Sequence, residues 1–435
     1  MTEEHTSRSR RRLTATVTDL EVRVQRAFLI SVELPGTTTV EVERSLEELT
    51  LLTETSGSEP VDQEIVRRQS IDPATYIGSG KTKELASLTT ALDIDVVVFD
   101  NPLAPAQQRN LQKVFQCDVV DREAVILDIF AQHARSKVGS LQVELAMHRY
   151  NLPRLRGKGK ALSQQGFGVL ARGPGETKLE TDRRRILERV SKIERDLKKA
   201  ARHRETQRKS RKRSSIPQAA IVGYTNAGKS TLLNALTDAD VLVQDQLFAT
   251  LDSTVRRLEL PDNRSVLLAD TVGFVRRLPH HLIESFRSTL SEVTQADLLV
   301  HVVDGTDSDP AGQIAAVREV LHEIDASTIP EILAFNKSDL MSDIARHRLE
   351  NLYPDGVLIS ARNGAGLPHL AERISDTLKR QMVALVLEVP YARGDIIAAA
   401  HRVGEVLMEK YDDQGTIIEV RVPQAVATRF LEFSR

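Results

Sequence analysis

The feature that most constrains this chain is the run GYTNAGKS, Gly223–Ser230, which satisfies G-x4-G-K-[ST]. It directly follows the apolar run Ala219–Val222 and precedes a helix-like segment, Thr231–Leu236, which is the context the motif requires. Gly223 and Gly228 let the backbone curl, so that the N–H groups along Tyr224, Thr225, Asn226 and Ala227 face a β-phosphate at a helix N-terminus. Lys229 is placed to reach the β- and γ-phosphates, and the Ser230 hydroxyl to ligate Mg²⁺. A plain glycine-rich turn is the bland alternative, and the flanking strand and helix patterns argue against it. The motif alone does not separate ATP from GTP.

A second signal lies some 40 residues on, where the apolar run Leu267–Asp270 ends in DTVG: Asp270, Thr271, Val272, Gly273. Asp270 is expected to hold the magnesium shell, and Gly273 to offer an unhindered N–H to the γ-phosphate. Phe274 follows, where many GTPases carry a glutamine that orients the attacking water. A phenyl ring cannot orient water by hydrogen bonding, so intrinsic turnover should be slow or rely on another group, such as one from a partner. The third signal decides the base. NKSD (Asn336, Lys337, Ser338, Asp339) follows the apolar run Ile332–Phe335. A carboxylate at Asp339 accepts from both N1–H and the 2-amino group of guanine, and adenine offers neither donor there. Ser360, Ala361 and Arg362, after a strand expected at Gly356–Ile359, complete the set, with the Ala361 N–H suited to guanine O6. One decoy is set aside: Gly78-Ser-Gly-Lys-Thr82 lacks the first glycine of a phosphate loop and reads as a turn and helix start.

At 435 residues the chain should hold several domains, and 41% apolar residues suffice for proper cores. No apolar stretch approaches the length needed to span a bilayer, and the polar, basic N-terminus is no secretory signal. The single cysteine, Cys117, excludes an internal disulfide, reads as a packed residue, and fits a reducing compartment. The cytoplasm is the expected location, with any membrane association peripheral. The net charge of −2 conceals two basic stretches, which point to a localised anionic partner. Asn151–Gly175 carries five basic residues and no acid; Lys198–Arg213 carries nine against one.

Residues 1–25 read as a flexible basic arm. Over 26–122, β-like runs (Ala27–Leu34, Asp95–Asp100, Asp118–Asp121) alternate with helix-like ones (Glu41–Leu52, Lys81–Leu92, Pro105–Phe115), suggesting a small α/β domain. Over 123–213, helical periodicity at Glu123–Tyr150 and Glu176–Arg211 flanks the glycine-rich basic loop, predicting a protruding helical hairpin. Residues 214–382 alternate as a G domain. Residues 383–435 offer strands at Ala384–Val389 and Thr416–Val422 and helices at Ile396–Tyr411 and Gln424–Phe433. The expected class is therefore α/β: a Ras-like P-loop G domain with a mostly parallel sheet, preceded by a small α/β domain and a long helical hairpin, and followed by a small α+β domain.

Three further segments, RGPGETKLETDRRRI (Arg172–Ile186), YIGSGKTKEL (Tyr76–Leu85) and FATLDSTVRRL (Phe248–Leu258), resemble the HflX family of ribosome-binding GTPases. The matches span nearly the whole chain. The resemblance implies a first switch at Phe248, Ala249, Thr250, Leu251 and Asp252, with Thr250 meeting Mg²⁺ and the γ-phosphate. Mg²⁺ is then held by Ser230 and Thr250, and Lys229, Thr250, Asp270 and Gly273 form the catalytic set. The sequence departs at Ser253, where the family usually has proline; losing that ring loosens the backbone there. The resemblance also implies GTP and GDP as ligands and the large ribosomal subunit, through its rRNA, as partner, with a monomer expected off the ribosome. Some members of that family split stalled or stress-damaged ribosomes, so splitting or rescue of stalled or stressed ribosomes is the role the resemblance implies. A ribosome-assembly GTPase acting on large-subunit precursors is the nearest alternative. A nucleotide-dependent kinase is disfavoured by NKSD and DTVG. A tRNA-modifying GTPase is disfavoured because no cysteine follows Cys117.

Overall fold

The computed structural model describes residues 24–155, 174–213, 216–237, 247–248, 254–277, 282, 286, 290–412, 414–423 and 427–434. Most of the expected arm and the loop over 156–173 lie outside them. The chain divides into two compact units, residues 1–194 and 195–435.

The first unit opens with β1 (Gln25–Glu33), α1 (Thr39–Thr55), β2 (Ser58–Arg67), α2 (Ser79–Ala91), β3 (Val96–Phe99), α3 (Pro105–Phe115), β4 (Asp118–Asp121) and α4 (Arg122–His133). The strands form a parallel sheet in the order β2-β1-β3-β4. Each β1 residue from Ala27 to Ile30 is fully buried, as expected for strands covered on both faces. Phe28, Ile30, Val97 and Phe99 pack with Leu85 of α2 and Leu111 of α3 in one core. Gly78 caps α2 with a φ of +85°, so the decoy motif is a turn and a helix start. β2 was not expected from the sequence, and it forms an edge of the sheet.

Glu123–Tyr150, expected as one helix, is two: α4 and α5 (Lys137–Arg154). Ala134 turns extended (ψ 103°), and the Ser136 side chain then caps α5 by accepting from the Gly139 N–H at 2.9 Å. The root of α5 is pinned to β4. Asp121 Oδ1 accepts from the Tyr150 hydroxyl at 2.9 Å, and its Oδ2 from Arg154 Nη2 at 3.1 Å. Next comes α6 (Pro174–Arg213), 40 residues long. Within the first unit α5 and α6 are tied by Arg189 to Glu144 (2.6 and 2.7 Å) and Arg149 to Glu194 (3.1 Å).

The second unit holds β5 (Gln218–Gly223), α7 (Lys229–Thr237), β6 (Thr254–Glu259), β7 (Ser265–Asp270), β8 (Leu298–Asp304), α8 (Pro310–Glu323), β9 (Glu331–Asn336), α9 (Asp343–Leu352), β10 (Val357–Leu358) and α10 (Leu367–Arg380). The six-stranded sheet runs β10-β9-β8-β5-β7-β6 and is parallel except for β6. One core joins Ile221, Leu268, Val300 and Ala334 of the sheet to Leu232 and Leu233 of α7 and Leu370 and Ile374 of α10.

The remainder is β11 (Met382–Pro390), α11 (Gly394–Val403), β12 (Glu405–Asp412) and β13 (Gly415–Pro423), an antiparallel sheet in the order β11-β13-β12. Here one expectation is corrected. The helix at Ile396–Tyr411 ends at Val403, and its second half is the strand β12. Gly404 makes the break, because an added Cβ there would lie 2.6 Å from the Arg421 carbonyl oxygen. Of the helix expected at Gln424–Phe433, residues 424–426 lie outside the described residues, Ala427 is helical, and Leu431–Phe433 is a single 3-10 turn. The class read from the sequence, α/β with a P-loop G domain and a small α+β end, is the observed one.

Candidate functional site

The end of β5 turns into the phosphate loop because two glycines allow it. Gly223 approaches β8 so closely that a Cβ would sit 2.1 Å from the Val302 carbonyl oxygen. Gly228 has a φ of +93°, and a Cβ there would meet Asn336 Nδ2 at 2.2 Å. Asn226 is also left-handed, at φ 58°. Lys229 and Ser230 begin α7, so the loop lies at a helix N-terminus, which favours anions.

Lys229 is buried, and its Nζ donates to the Tyr224 carbonyl oxygen at 2.7 Å, closing the loop on itself. Burial pulls its ammonium pKa down to about 8, with the Asp270 carboxylate acting in the opposite direction. A phosphate would restore the full charge. Ser230 Oγ donates to Asp270 Oδ2 at 2.6 Å. Hydroxyl and carboxylate are the hard oxygen donors that Mg²⁺ takes one or two at a time beside phosphate oxygens and water, so these residues fit that ion. When bound, the ion supplies charge neutralisation between the phosphates.

The DTVG segment folds back on the loop. Thr271 is buried and donates its hydroxyl to the Ile221 carbonyl oxygen at 2.7 Å. Gly273 backs directly onto the loop: an added Cβ would lie 2.9 Å from both Lys229 Nζ and Thr225 Cγ2. Val272 is buried beside it. Phe274 is only 1% exposed, so its ring belongs to the interior and presents nothing to a water.

The base motifs converge through one side chain. Asn336, at the end of β9, donates from Nδ2 to the Ala227 carbonyl oxygen at 2.8 Å. Its Oδ1 accepts from the Ala361 N–H at 2.9 Å. The Ala361 N–H, expected to face guanine O6, is thus held by Asn336 here, and turning it to a base requires the Asn336 amide to yield it. Lys337 is left-handed (φ 63°), and its Nζ lies 2.7 Å from Asp304 Oδ2. The Ser338 N–H donates to the Ile359 carbonyl oxygen at 3.0 Å, joining NKSD to the Ser360–Arg362 turn. Asp339 is exposed, and its carboxyl is held below the usual range, first by a hydrogen bond from the Ser360 side chain and also by the charges of Arg362 and Arg346. An ionised, solvent-facing carboxylate is what recognition of two guanine donors needs.

Of the segment expected as the first switch only Phe248 is described: it is buried, with φ 57°. Ala249, Thr250, Leu251 and Asp252 lie outside the described residues. Sequence reasoning missed Asp304, although it ends β8 as Asp270 ends β7. It also missed Arg276, whose guanidinium pairs with Asp309 at 2.9 Å.

Three family models match along the chain: one described as GTP-binding GTPase N-terminal over residues 43–131, one as GTP-binding GTPase Middle Region over 133–211, and one as 50S ribosome-binding GTPase over 218–337. A GTPase HflX of Caldanaerobacter subterraneus subsp. tengcongensis is 43% identical over 409 residues, covering 94% of each chain. A GTPase HflX of Escherichia coli is 42% identical over 381 residues, covering 87% of this chain and 89% of that one. Among solved structures, a GTP-binding protein from Sulfolobus solfataricus in complex with GDP matches 81% of this chain and 98% of that one, at 24% identity and a TM-score of 0.43.

Proposed function

The chain belongs to the HflX family of GTPases, and from that premise we propose that it works on the ribosome. In this reading the GTP form docks on the large subunit and hydrolysis releases it, with splitting or rescue of stalled ribosomes as the outcome. The G domain at 214–382 carries the chemistry; 26–122 and the hairpin at 123–213 carry the contact with RNA, and 383–435 forms a cap. Support comes from the match of residues 218–337 to a 50S ribosome-binding GTPase family and from the basic stretches around the hairpin, which suit rRNA phosphates.

The single observation that carries the nucleotide reading is the Asn336 side chain, which joins the phosphate loop at Ala227 to the base-motif turn at Ala361. That junction ties together three motifs far apart in sequence, and the proposed nucleotide site has Lys229 at its phosphate end and Asp339 at its base end. Ser230 and Asp270 lie together at the expected magnesium position, and Thr250 is proposed to complete it.

Asp339→Asn tests the site. It replaces a charged double acceptor with a mixed group, and GTP affinity should fall about 10- to 100-fold while xanthosine triphosphate gains. Nucleotide titration of the purified protein measures it, and unchanged GTP affinity would overturn the assignment of the base. The partner is tested separately by cosedimentation with mature and precursor large subunits. Binding to mature subunits in the GTP form supports the proposal; binding confined to precursors indicates an assembly role instead.

A further inference from the structure

Past the ends of β5 and β7 the two chains stay paired, but out of step. Ile221 faces Asp270, and three residues later Tyr224 faces Phe274, four residues later on its own side. One extra residue is therefore accommodated between Thr271 and Gly273, in the manner of a bulge that re-aims the backbone beside an active site. Three hydrogen bonds close the far end of this bulge. The Phe274 N–H donates to the Gly223 carbonyl oxygen at 3.1 Å, and the Thr225 N–H to the Phe274 carbonyl oxygen at 2.8 Å. The third comes from a side chain: the Arg276 N–H donates to the Tyr224 hydroxyl oxygen at 2.7 Å.

Tyr224 is buried, and its contact with the Arg276 N–H is part-buried. Arg276 is also held at its other end. Its guanidinium pairs with Asp309, whose Oδ1 accepts from the Gly312 N–H at 3.0 Å at the start of α8. The phenol hydroxyl thus grips a residue that is fixed to the rigid body of the domain.

We propose that Tyr224 is a positioning residue for GTP hydrolysis. Its hydroxyl fixes Arg276, and through it the downstream side of the bulge, so that the Gly273 N–H stays aimed at the γ-phosphate. Gly273 has no side chain to restrain it and loses more freedom on ordering than any other residue type, so it needs fixing from its neighbours. Tyr224 acts through Gly273 and not on the nucleotide. GDP has no γ-phosphate, so its binding should not sense the hydroxyl. The proposal rests on Gly273 being the γ-phosphate donor.

Tyr224→Phe in the full chain is the test, because it keeps the buried ring and removes only the acceptor. Steady-state hydrolysis, GDP titration and thermal melting are measured together, with Gly273→Ala as a second variant. Expected for Tyr224→Phe is a kcat lowered about two- to tenfold, the net range of one intramolecular hydrogen bond, with the KM for GTP, GDP affinity and melting temperature close to the parent. Gly273→Ala should lower turnover by at least about tenfold. If Gly273→Ala is slow and Tyr224→Phe hydrolyses at the parent rate, the positioning role is wrong and the reading of the site stands. If Gly273→Ala itself hydrolyses normally, the reading of Gly273 fails and the proposal with it. A Tyr224→Phe protein that loses GDP affinity or melting temperature along with kcat has a damaged phosphate loop, which also overturns a positioning role.

Discussion

At the scale of single residues, the oddest choice in the G domain is a histidine in the middle of its central strand. His301 lies between Val222 of β5 and Leu333 of β9 and is fully buried. Its Nδ1 donates to Glu331 Oε1 at 2.5 Å, and Glu331 in turn takes Arg318 at 2.7 Å. Burial pushes the imidazole pKa below its ordinary 6.5, with the Glu331 carboxylate acting the other way. The neutral ring is thus the folded form, while the unfolded chain takes up a proton as the pH falls through 6.5. The stability it contributes is complete above that pH and declines below it, with a limiting slope of about 1.4 kcal/mol per pH unit. His301→Leu should flatten the fall in melting temperature between pH 7 and 5.5, and identical slopes for variant and parent would show that another group titrates. Nothing in LLVHVVD marks this histidine as special, because the neighbours that make it so come from β9 and α8. The phosphate loop was legible for the opposite reason: its chemistry is local, and Gly223, Gly228, Lys229 and Ser230 lie within one turn of chain. What the sequence could not show was the reach of Asn336, which depends on a contact between residues more than a hundred positions apart.

At the scale of elements, legibility followed burial. Strands covered on both faces, such as Val96–Phe99 and Leu298–Asp304, announce themselves as apolar runs. β2 does not: Ser58–Arg67 is an edge strand with Pro60 and four acids or amides, and it exposes much of its length. β12 misleads further, since Leu407, Met408 and Tyr411 are exposed and the strand carries a bulge between Val406 and Met408, which scrambles any period of two. The β6–β7 turn shows polar contacts added to a core: Leu260 is buried, and the tip is tied to α10. Asp262 at its tip accepts from Ser375 Oγ at 2.7 Å and pairs with Lys379 at 3.2 Å, while Arg264 Nη2 donates to the Ser375 carbonyl oxygen at 3.2 Å. Partial burial raises the Asp262 carboxyl pKa, but hydrogen bonds from Arg264, Ser375 and Lys379 outweigh it and hold the group well below its usual range. Its contribution is therefore present above pH 3.8 and is lost as the pH falls through the lowered value. Asp262→Ala should loosen the last turns of α10 by about 1–2 kcal/mol. Hydrogen exchange at neutral pH reads this as faster exchange in Ser375–Arg380, with the phosphate loop unaffected; unchanged rates there would mean that the turn does not hold the helix.

At the scale of the whole molecule, a near-neutral chain gathers positive charge in a glycine-rich stretch between two long helices. Residues 151–175 carry five basic residues and six glycines, and they connect two helices whose bases are firmly built. Tyr150 and Arg154 lock α5 to Asp121, and Arg189 and Arg149 lock α6 to α5. Under the proposed function, a glycine-rich basic segment anchored at both ends is suited to contact RNA. Deleting 156–168 removes Arg156, Lys158 and Lys160 but none of these anchors. GTP affinity should stay within about twofold of the parent, because the phosphate loop begins at Gly223 in the second unit. Large-subunit binding should weaken, and its dependence on salt should become shallower. Each phosphate contact contributes roughly 0.7–0.9 to the slope of log affinity against log salt, so three lost contacts lower it by about two to three. Cosedimentation with large subunits across a salt series, using a non-hydrolysable GTP analogue, measures both quantities at once. A deletion that lowers affinity with the slope unchanged would mean that the loop acts by shape or stacking and not through its charges. A protein that binds and responds to salt like the parent would show that this stretch is ordinary solvated surface, and that the contact with RNA must be sought elsewhere in 26–213.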